Sequence, residues 1–184
     1  MNHILAVKFE IKKKVNVLRI CKYILRVLVG MLIIFLWFVL LLLLFNKPKS
    51  PISTEYAGEL LSADGYTVTN LTDDALQKNP NWDLVGVLSA VKGSIRFEFY
   101  EFKSKESAVD IYGQAYSDIM SMLVDVPRID TDTSIANYRI FTLRDQSQFA
   151  VSIYVENTAV YAYCDKADST VLVKLLMRMG YYDE

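Results

Sequence analysis

The side chains that most often perform catalysis or bind metals are scarce and widely separated in this chain. The only histidine is His3, and the only cysteines are Cys21 and Cys164. Serine or cysteine nucleophiles with a histidine base, histidine-ligated zinc and C-x-x-C redox pairs all need such side chains close together. The P-loop and G-x-S-x-G patterns are also absent. The sequence therefore predicts no catalytic residue, no metal ligand and no cofactor.

Acidic side chains are the remaining candidates for metal binding. Asp125, Asp130 and Asp132 fall in a segment, 125–135, that contains a proline and is predicted to be a loop. A calcium loop normally has acidic residues at alternate positions, a glycine and a distal glutamate. Here the glycine is missing and Arg128 lies among the acidic residues. A solvated loop is therefore the interpretation that we prefer.

Two glutamates flank Tyr100 within a predicted strand and could act as an acid–base pair. Hydrolysis of a glycosidic bond, for example, uses two carboxyl groups that face each other across the substrate. Glu98 and Glu101 are three positions apart, an odd number, so a strand directs them to opposite faces. We expect instead that Glu98 pairs with a basic residue on a neighbouring strand.

Aromatic side chains are abundant, with twelve tyrosines, nine phenylalanines and two tryptophans. Tyrosine combines contact area with a polar tip, but most of the tyrosines fall at positions that fit packing within a sheet or against a helix. Trp82 follows Asn79, Pro80 and Asn81, and neither the helical nor the strand period explains it. A surface anchor, a contact with the bilayer and a lid on the core all stay open for this residue.

Three residues raise the question of burial or modification. Cys164 ends the apolar run AVYAYC, which favours a small buried side chain. Cys21 precedes a long apolar stretch, where acylation is an alternative to an unmodified thiol. Asn70 begins an Asn-Leu-Thr acceptor pattern for glycosylation. The sequence leaves the modification of Cys21 and Asn70 open.

Local patterns along residues 54–184 predict an α+β domain. The predicted order is a helix at 54–64, a strand at 66–69, a helical turn at 72–76, strands at 84–91 and 94–103, a helix at 104–123, strands at 138–143, 149–155 and 158–163, and a helix at 167–179. Short connections imply a mainly antiparallel sheet of about five or six strands, with two or three helices packed on one face. Strand–turn–strand–helix occurs at 84–123 and again at 149–179, so a duplicated ββα unit stays open.

A different environment is predicted for residues 27–45, which read VLVGMLIIFLWFVLLLLLF and carry no charge. Nineteen helical residues extend about 28 Å, close to the roughly 30 Å hydrocarbon core of a bilayer. A signal peptide has a shorter apolar run of about 7–15 residues followed by small residues, and no such pattern follows Phe45. We therefore expect a retained single transmembrane helix, a signal anchor, that contacts membrane lipid.

Charge predicts the orientation of this helix. Seven lysines and arginines precede residues 27–45 and two follow closely, so the positive-inside rule places residues 1–26 in the cytoplasm as a basic N-terminal segment. Residues 46–53 then form a linker, and residues 54–184 form an extracytoplasmic domain. Residues 51–184 carry eleven basic and twenty acidic residues, a net charge of −9. A domain with a negative net charge argues against nucleic acid as a partner, because binding to the phosphate backbone requires basic residues.

These features together predict a cell-membrane protein whose extracytoplasmic domain is a binding or interaction domain for an unidentified ligand and is not an enzyme. Another membrane or envelope protein is a candidate partner. The alternative is an envelope enzyme that uses Asp or Glu side chains, or a metal site, that cannot be recognised from the sequence. Neither the ligand nor the oligomeric state follows from the sequence.

Overall fold

The computed structural model describes residues 22–41, 47–122, 129–135 and 137–183. The chain separates into two compact units, Met1–Lys47 and Pro48–Glu184. In the first unit, helix α1 runs from Lys22 to Leu41 and is long and apolar enough to cross a membrane. Its apolar side chains are exposed, apart from the half-buried Val39. The second unit contains the remaining helices and strands and is called the body below.

The body is built on a seven-stranded sheet in which every neighbouring pair is antiparallel. Its strands are β1 (Thr67–Asn70), β2 (Leu84–Lys92), β3 (Ile95–Phe102), β4 (Ile129–Ile135), β5 (Tyr138–Arg144), β6 (Gln148–Val155) and β7 (Thr158–Asp165), in the spatial order β1-β2-β3-β7-β6-β5-β4. The helices are α2 (Thr54–Ala63), α3 (Thr72–Lys78), α4 (Lys105–Met122) and α5 (Ser169–Arg178), the last preceded by a 3-10 turn. The predicted α+β class and antiparallel sheet are confirmed.

Helices cover both faces of this sheet, which corrects the prediction that they share one face. Helices α2 and α5 pack on the face that carries Phe97, Phe99 and Ile153. Helix α4 packs on the other face against residues such as Phe141 and Leu143, and α3 packs on that same face against β2. The reason is visible in β6, whose sequence QFAVSIYV buries five consecutive residues. A strand that is apolar on both sides must be covered on both sides.

The seventh strand, β4, lies in the segment that the sequence predicted as a loop. That prediction was wrong for Ile129–Ile135, which pairs along its full length with β5. The strand is at the edge of the sheet, and its described side chains from 129 to 134 are exposed. Edge strands often carry charged residues that discourage pairing with another chain. Such a strand lacks the hydrophobic alternation on which sequence prediction depends.

The repeated strand–turn–strand–helix order does not reflect a structural repeat. The two units compared are β2-β3-α4 and β6-β7-α5, and they meet where β3 and β7 pair antiparallel. If the units were a repeat, a twofold rotation about an axis perpendicular to the sheet would exchange them. Such a rotation would leave both helices on the same face of the sheet. Helices α4 and α5 instead lie on opposite faces. The units β2-β3-α4 and β6-β7-α5 therefore have opposite hands and do not superimpose.

The residues that lead into α2 are bound to the rest of the body, although they form neither helix nor strand. The backbone N–H of Lys49 donates to Asn137 Oδ1 at 3.1 Å, and Asn137 Nδ2 donates to the carbonyl oxygen of Lys49 at 2.6 Å. Lys49 Nζ is 2.9 Å from Asp183 Oδ2. Part of the predicted linker is thus fixed to the body at Lys49, which is 8% exposed.

The same segment is held at two further points. Ile52 N–H donates to the hydroxyl of Tyr181, a fully buried residue near the C-terminus. Thr54 donates both its backbone N–H and its hydroxyl to Glu101 Oε2, at 2.6 and 2.8 Å. Gly86 allows this approach, because a Cβ at that position would collide with the Thr54 side chain.

Candidate functional site

The outer face of α4 borders a shallow depression that is wide open to solvent. The inner face of the helix carries the buried residues Ala108, Tyr112, Ala115 and Ile119, spaced by three or four positions as an amphipathic helix requires. The opposite, exposed face surrounds an open depression of about 550 Å³, lined by Asp110, Gly113, Gln114, Ser117 and Asp118. These five residues, together with the recess described next, are called the α4 groove.

A smaller recess continues the groove at the end near β3. It has a volume of about 110 Å³ and is lined by Trp82, Phe102, Ser107, Asp110, Ile111 and Gln114. Asp110 and Gln114 line both parts, so the recess and the open depression are continuous along the helix.

Trp82 is held in place between the end of α3 and the start of β2. Its backbone N–H donates to the carbonyl oxygen of Asn79 at 3.1 Å. Its ring meets Phe102 edge-on, with 6.4 Å between the ring centroids. Phe102 is buried and is fixed by reciprocal backbone and side-chain hydrogen bonds with Asn157. Trp82 itself stays 36% exposed, which leaves part of the indole available for contact.

Strand β2, which follows Trp82, contains a β-bulge. The pairing of β2 with β3 shifts between Leu84 and Gly86, so Val85 is the extra residue and lies exposed. The bulge lets Leu84 and Val87 both pack with Phe102 on the α4 face, although an unbroken strand would direct them to opposite faces. This arrangement supports the wall that Phe102 contributes to the recess.

Asp83 links the Trp82 loop to the start of α4. Hydrogen bonds from the side chains of Ser104 and Ser107 lower the pKa of the Asp83 carboxyl group. Ser104 is the N-cap of α4, as the sequence predicted, and its hydroxyl accepts from the N–H of Ser107 at 3.4 Å. Oδ1 of Asp83 is covered and has no hydrogen-bond partner among the described residues.

The groove is acidic along its length. Asp110, Gln114 and Asp118 form a stripe at intervals of four residues, and eight residues of helix separate the two carboxylates by about 12 Å along the axis. The nearby Lys105 is directed elsewhere, since its Nζ lies 5.8 Å from the centroid of the Tyr154 ring. Exposed carboxylates beside an aromatic ring can bind a cationic group.

The structure separates the two glutamates that flank Tyr100. Glu98 Oε2 accepts a hydrogen bond from the Tyr100 hydroxyl at 2.6 Å on the α4 face, whereas Glu101 accepts from Thr54 on the α2 face. The cross-strand neighbours of Glu98 are Ser89 and Tyr161, so the prediction of a basic cross-strand partner was wrong. The carboxylates do not meet as a pair.

The aspartates that were candidates for calcium are also accounted for where the structure describes them. Asp132 forms a bidentate ion pair with Arg139 of β5, which lowers the pKa of the Asp132 carboxyl group. Asp130 lies two residues away on the same strand, and Asp125 lies outside the described residues. Within the described ranges, no group of three or more histidine, cysteine or acidic side chains is arranged to hold a metal ion.

Cys164 is buried in the core, as predicted. Burial, with the nearby Asp168 and Asp165 as smaller causes, raises the pKa of its thiol to about 11. Cys21 falls outside the described residues.

One motif escaped the sequence reasoning but forms no site. Ser89 and Lys92 match the S-x-x-K pattern of some serine nucleophiles, but that chemistry needs the lysine beside the serine. In β2 the two residues are three positions apart and point to opposite faces. Lys92 Nζ donates to the carbonyl oxygen of Asp64 at 2.6 Å.

Comparison with known proteins adds a distant likeness in fold. No family model and no curated protein matches the chain. A crystal structure of a GTP binding regulator from Thermotoga maritima resembles it with a TM-score of 0.43 and 15% sequence identity, over 76% of this chain and 96% of that chain.

Proposed function

We propose that this protein is a single-pass, membrane-anchored binding domain that is not an enzyme and that recognises another membrane or envelope protein through the α4 groove. The observation that carries the proposal is the groove itself, in which a partly exposed Trp82 adjoins an exposed, acidic helix face. Exposed tryptophans beside polar residues are common centres of protein–protein interfaces.

The apolar helix supports the anchored location. The twenty residues of α1 extend about 30 Å, the thickness of a bilayer core. The excess of basic residues before the helix favours a cytoplasmic N-terminus and an extracytoplasmic body. The basic segment 1–26, the anchor 27–45, the linker 46–53 and the outer domain 54–184 together make up this proposed topology.

Cysteine accessibility in intact cells tests the orientation. In a Cys21→Ser background, Glu59→Cys places a thiol on the exposed face of α2, and Lys12→Cys places one in the basic segment. Cys164 is buried and serves as a silent background. We expect a membrane-impermeant maleimide to label Glu59→Cys in intact cells and Lys12→Cys only after permeabilisation. The reverse pattern would overturn the orientation.

Photo-crosslinking tests the binding role. A photoreactive phenylalanine analogue replaces Gln114 in the groove or, as a control, Glu59 on the opposite face of the sheet. We expect a discrete adduct of constant mass from position 114, which disappears when Trp82 is changed to Ala, and none from position 59. Equal labelling from both positions, or no adduct from either, would contradict a binding role for the groove.

A further inference from the structure

The size of the recess indicates what kind of group it accepts. Its volume of about 110 Å³ equals roughly three or four water molecules at about 30 Å³ each. Pockets for small-molecule ligands usually measure about 300–1,000 Å³. A recess of this size fits one side chain of a partner rather than a free metabolite.

The lining of the recess selects the chemistry of that side chain. Trp82, an aromatic residue that is 36% exposed, and the acidic Asp110 both line the same small space. A cation is attracted to the face of an indole ring and forms a charge-assisted hydrogen bond with a carboxylate. Arginine makes these two interactions together better than lysine does, because the face of its planar guanidinium group stacks on a ring while the N–H groups at the guanidinium edge donate to a carboxylate.

A second contact lies farther along the helix. Asp118 lies two turns beyond Asp110 on the same exposed face, about 12 Å along the axis. An extended peptide covers this distance in about four residues, at roughly 3.3 Å per residue. Two basic residues with that separation would reach both carboxylates.

Gly113 lies between these two contacts and has no packing role. A Cβ at this position would meet nothing within 4 Å, although a glycine inside a helix costs about 1 kcal/mol relative to alanine. The missing side chain leaves the helix surface low between Asp110 and Ser117. A partner backbone can therefore approach α4 closely at this point.

We infer that the α4 groove binds a basic segment of the partner protein, with an arginine side chain in the recess between Trp82 and Asp110 and a second basic side chain at Asp118. This inference deepens the proposed function and rests on it. The complementary charges steer the encounter and set the register, and the single anchored side chain gives the specificity.

Fluorescence of the full-length protein in non-ionic detergent tests the inference. Trp37→Phe leaves Trp82 as the only tryptophan. The probes are hexaarginine, hexalysine and hexaglutamate peptides. We expect saturable quenching of Trp82 by hexaarginine, binding of hexalysine that is about threefold or more weaker, and no effect of hexaglutamate.

Charge-matched variants separate the groove from the general negative charge of the body. Asp110→Asn should weaken hexaarginine binding about five- to tenfold, and Asp118→Asn about two- to fivefold. Glu59→Gln removes one charge from an exposed residue of α2 and should change binding by less than about twofold.

Three outcomes would overturn the inference: equal losses for Asp110→Asn and Glu59→Gln, quenching by hexaglutamate, or no saturable response to hexaarginine up to about 1 mM, the limit of weak specific binding. If the crosslink from position 114 persists while the charge variants have no effect, the groove binds a partner of different chemistry. In that case the inference fails and the proposed function stands.

Discussion

The buried hydroxyl of Tyr181 provides a direct test of how the segment before α2 is held to the body. Thr158 Oγ1 donates its single hydrogen to the carbonyl oxygen of Val155 at 2.7 Å. The Tyr181 hydroxyl, 2.6 Å from Thr158 Oγ1, must therefore donate to Thr158. It also accepts from Ile52 N–H at 3.1 Å. One hydroxyl thus makes two hydrogen bonds in a site with no exposed surface.

Tyr181→Phe removes both hydrogen bonds and keeps the ring that packs beside Phe99. Each hydrogen bond contributes about 0.5–1.5 kcal/mol net, and the unpaired Ile52 N–H adds to the loss where water cannot reach it. We expect the free energy of unfolding to fall by about 1–3 kcal/mol. Urea unfolding of the full-length protein in non-ionic detergent, followed by Trp82 fluorescence in a Trp37→Phe background, measures this change.

Two companion variants make the test specific. Tyr182→Phe removes a neighbouring hydroxyl that makes no hydrogen bond among the described residues and should change stability by less than about 0.5 kcal/mol. A double-mutant cycle of Tyr181→Phe with Thr158→Val should give a coupling free energy of about 0.5–1.5 kcal/mol. If Tyr181→Phe were no more destabilising than Tyr182→Phe, the hydrogen-bond assignment would be refuted.

Three further predictions follow from burial and backbone geometry. Gly113→Ala should raise the free energy of unfolding by about 1 kcal/mol, because the new methyl group meets nothing within 4 Å. Gly86→Ala should lower the free energy of unfolding, because its methyl group would collide with Thr54. Urea unfolding should therefore give changes of opposite sign for the two variants. In a Cys21→Ser background, Cys164 should react with a thiol reagent only after unfolding, because burial raises its pKa to about 11; rapid modification of the native protein would contradict this. Burial also raises the pKa of three tyrosines, Tyr66, Tyr112 and Tyr161, to about 12. The folded state therefore keeps protons that the unfolded state releases near pH 10, and the free energy of unfolding should fall as pH rises from about 10 to 12. Ultraviolet titration should show that these three tyrosines ionise at higher pH than the exposed ones.

Most of the helices and strands of the body were predictable because each carries a local period. Helix α4 was predicted at 104–123 and observed at Lys105–Met122, with Ser104 as its cap. Strand β3 was predicted from the alternation in IRFEFYEF, which the burial of its residues repeats. Strand β4 was missed because it borders solvent and carries polar residues, so its stability comes from hydrogen bonds to β5 and not from a hydrophobic pattern.

The candidate groove was only partly visible in the sequence. Trp82 stood out as the aromatic residue that no period explained, but its contact with Phe102 depends on a bulge in β2 that has no clear local signal. Asp110 and Asp118 occupy polar positions of an amphipathic helix, a placement that gives no local signal of a site. Asp110 and Trp82, which line the same recess, lie 28 positions apart in the chain.

The sequence by itself determined the features that depend on neighbouring residues: an apolar helix near the N-terminus, a negatively charged α+β body, and the type of nearly every helix and strand. Only the tertiary structure decided which face of the sheet each helix covers, the opposite hands of the two ββα units, and the place where Trp82 meets α4. The physical reason is that local periodicity reports how one segment divides its surface between solvent and core. The identity of the surface that covers each apolar face depends on contacts between segments far apart in the chain.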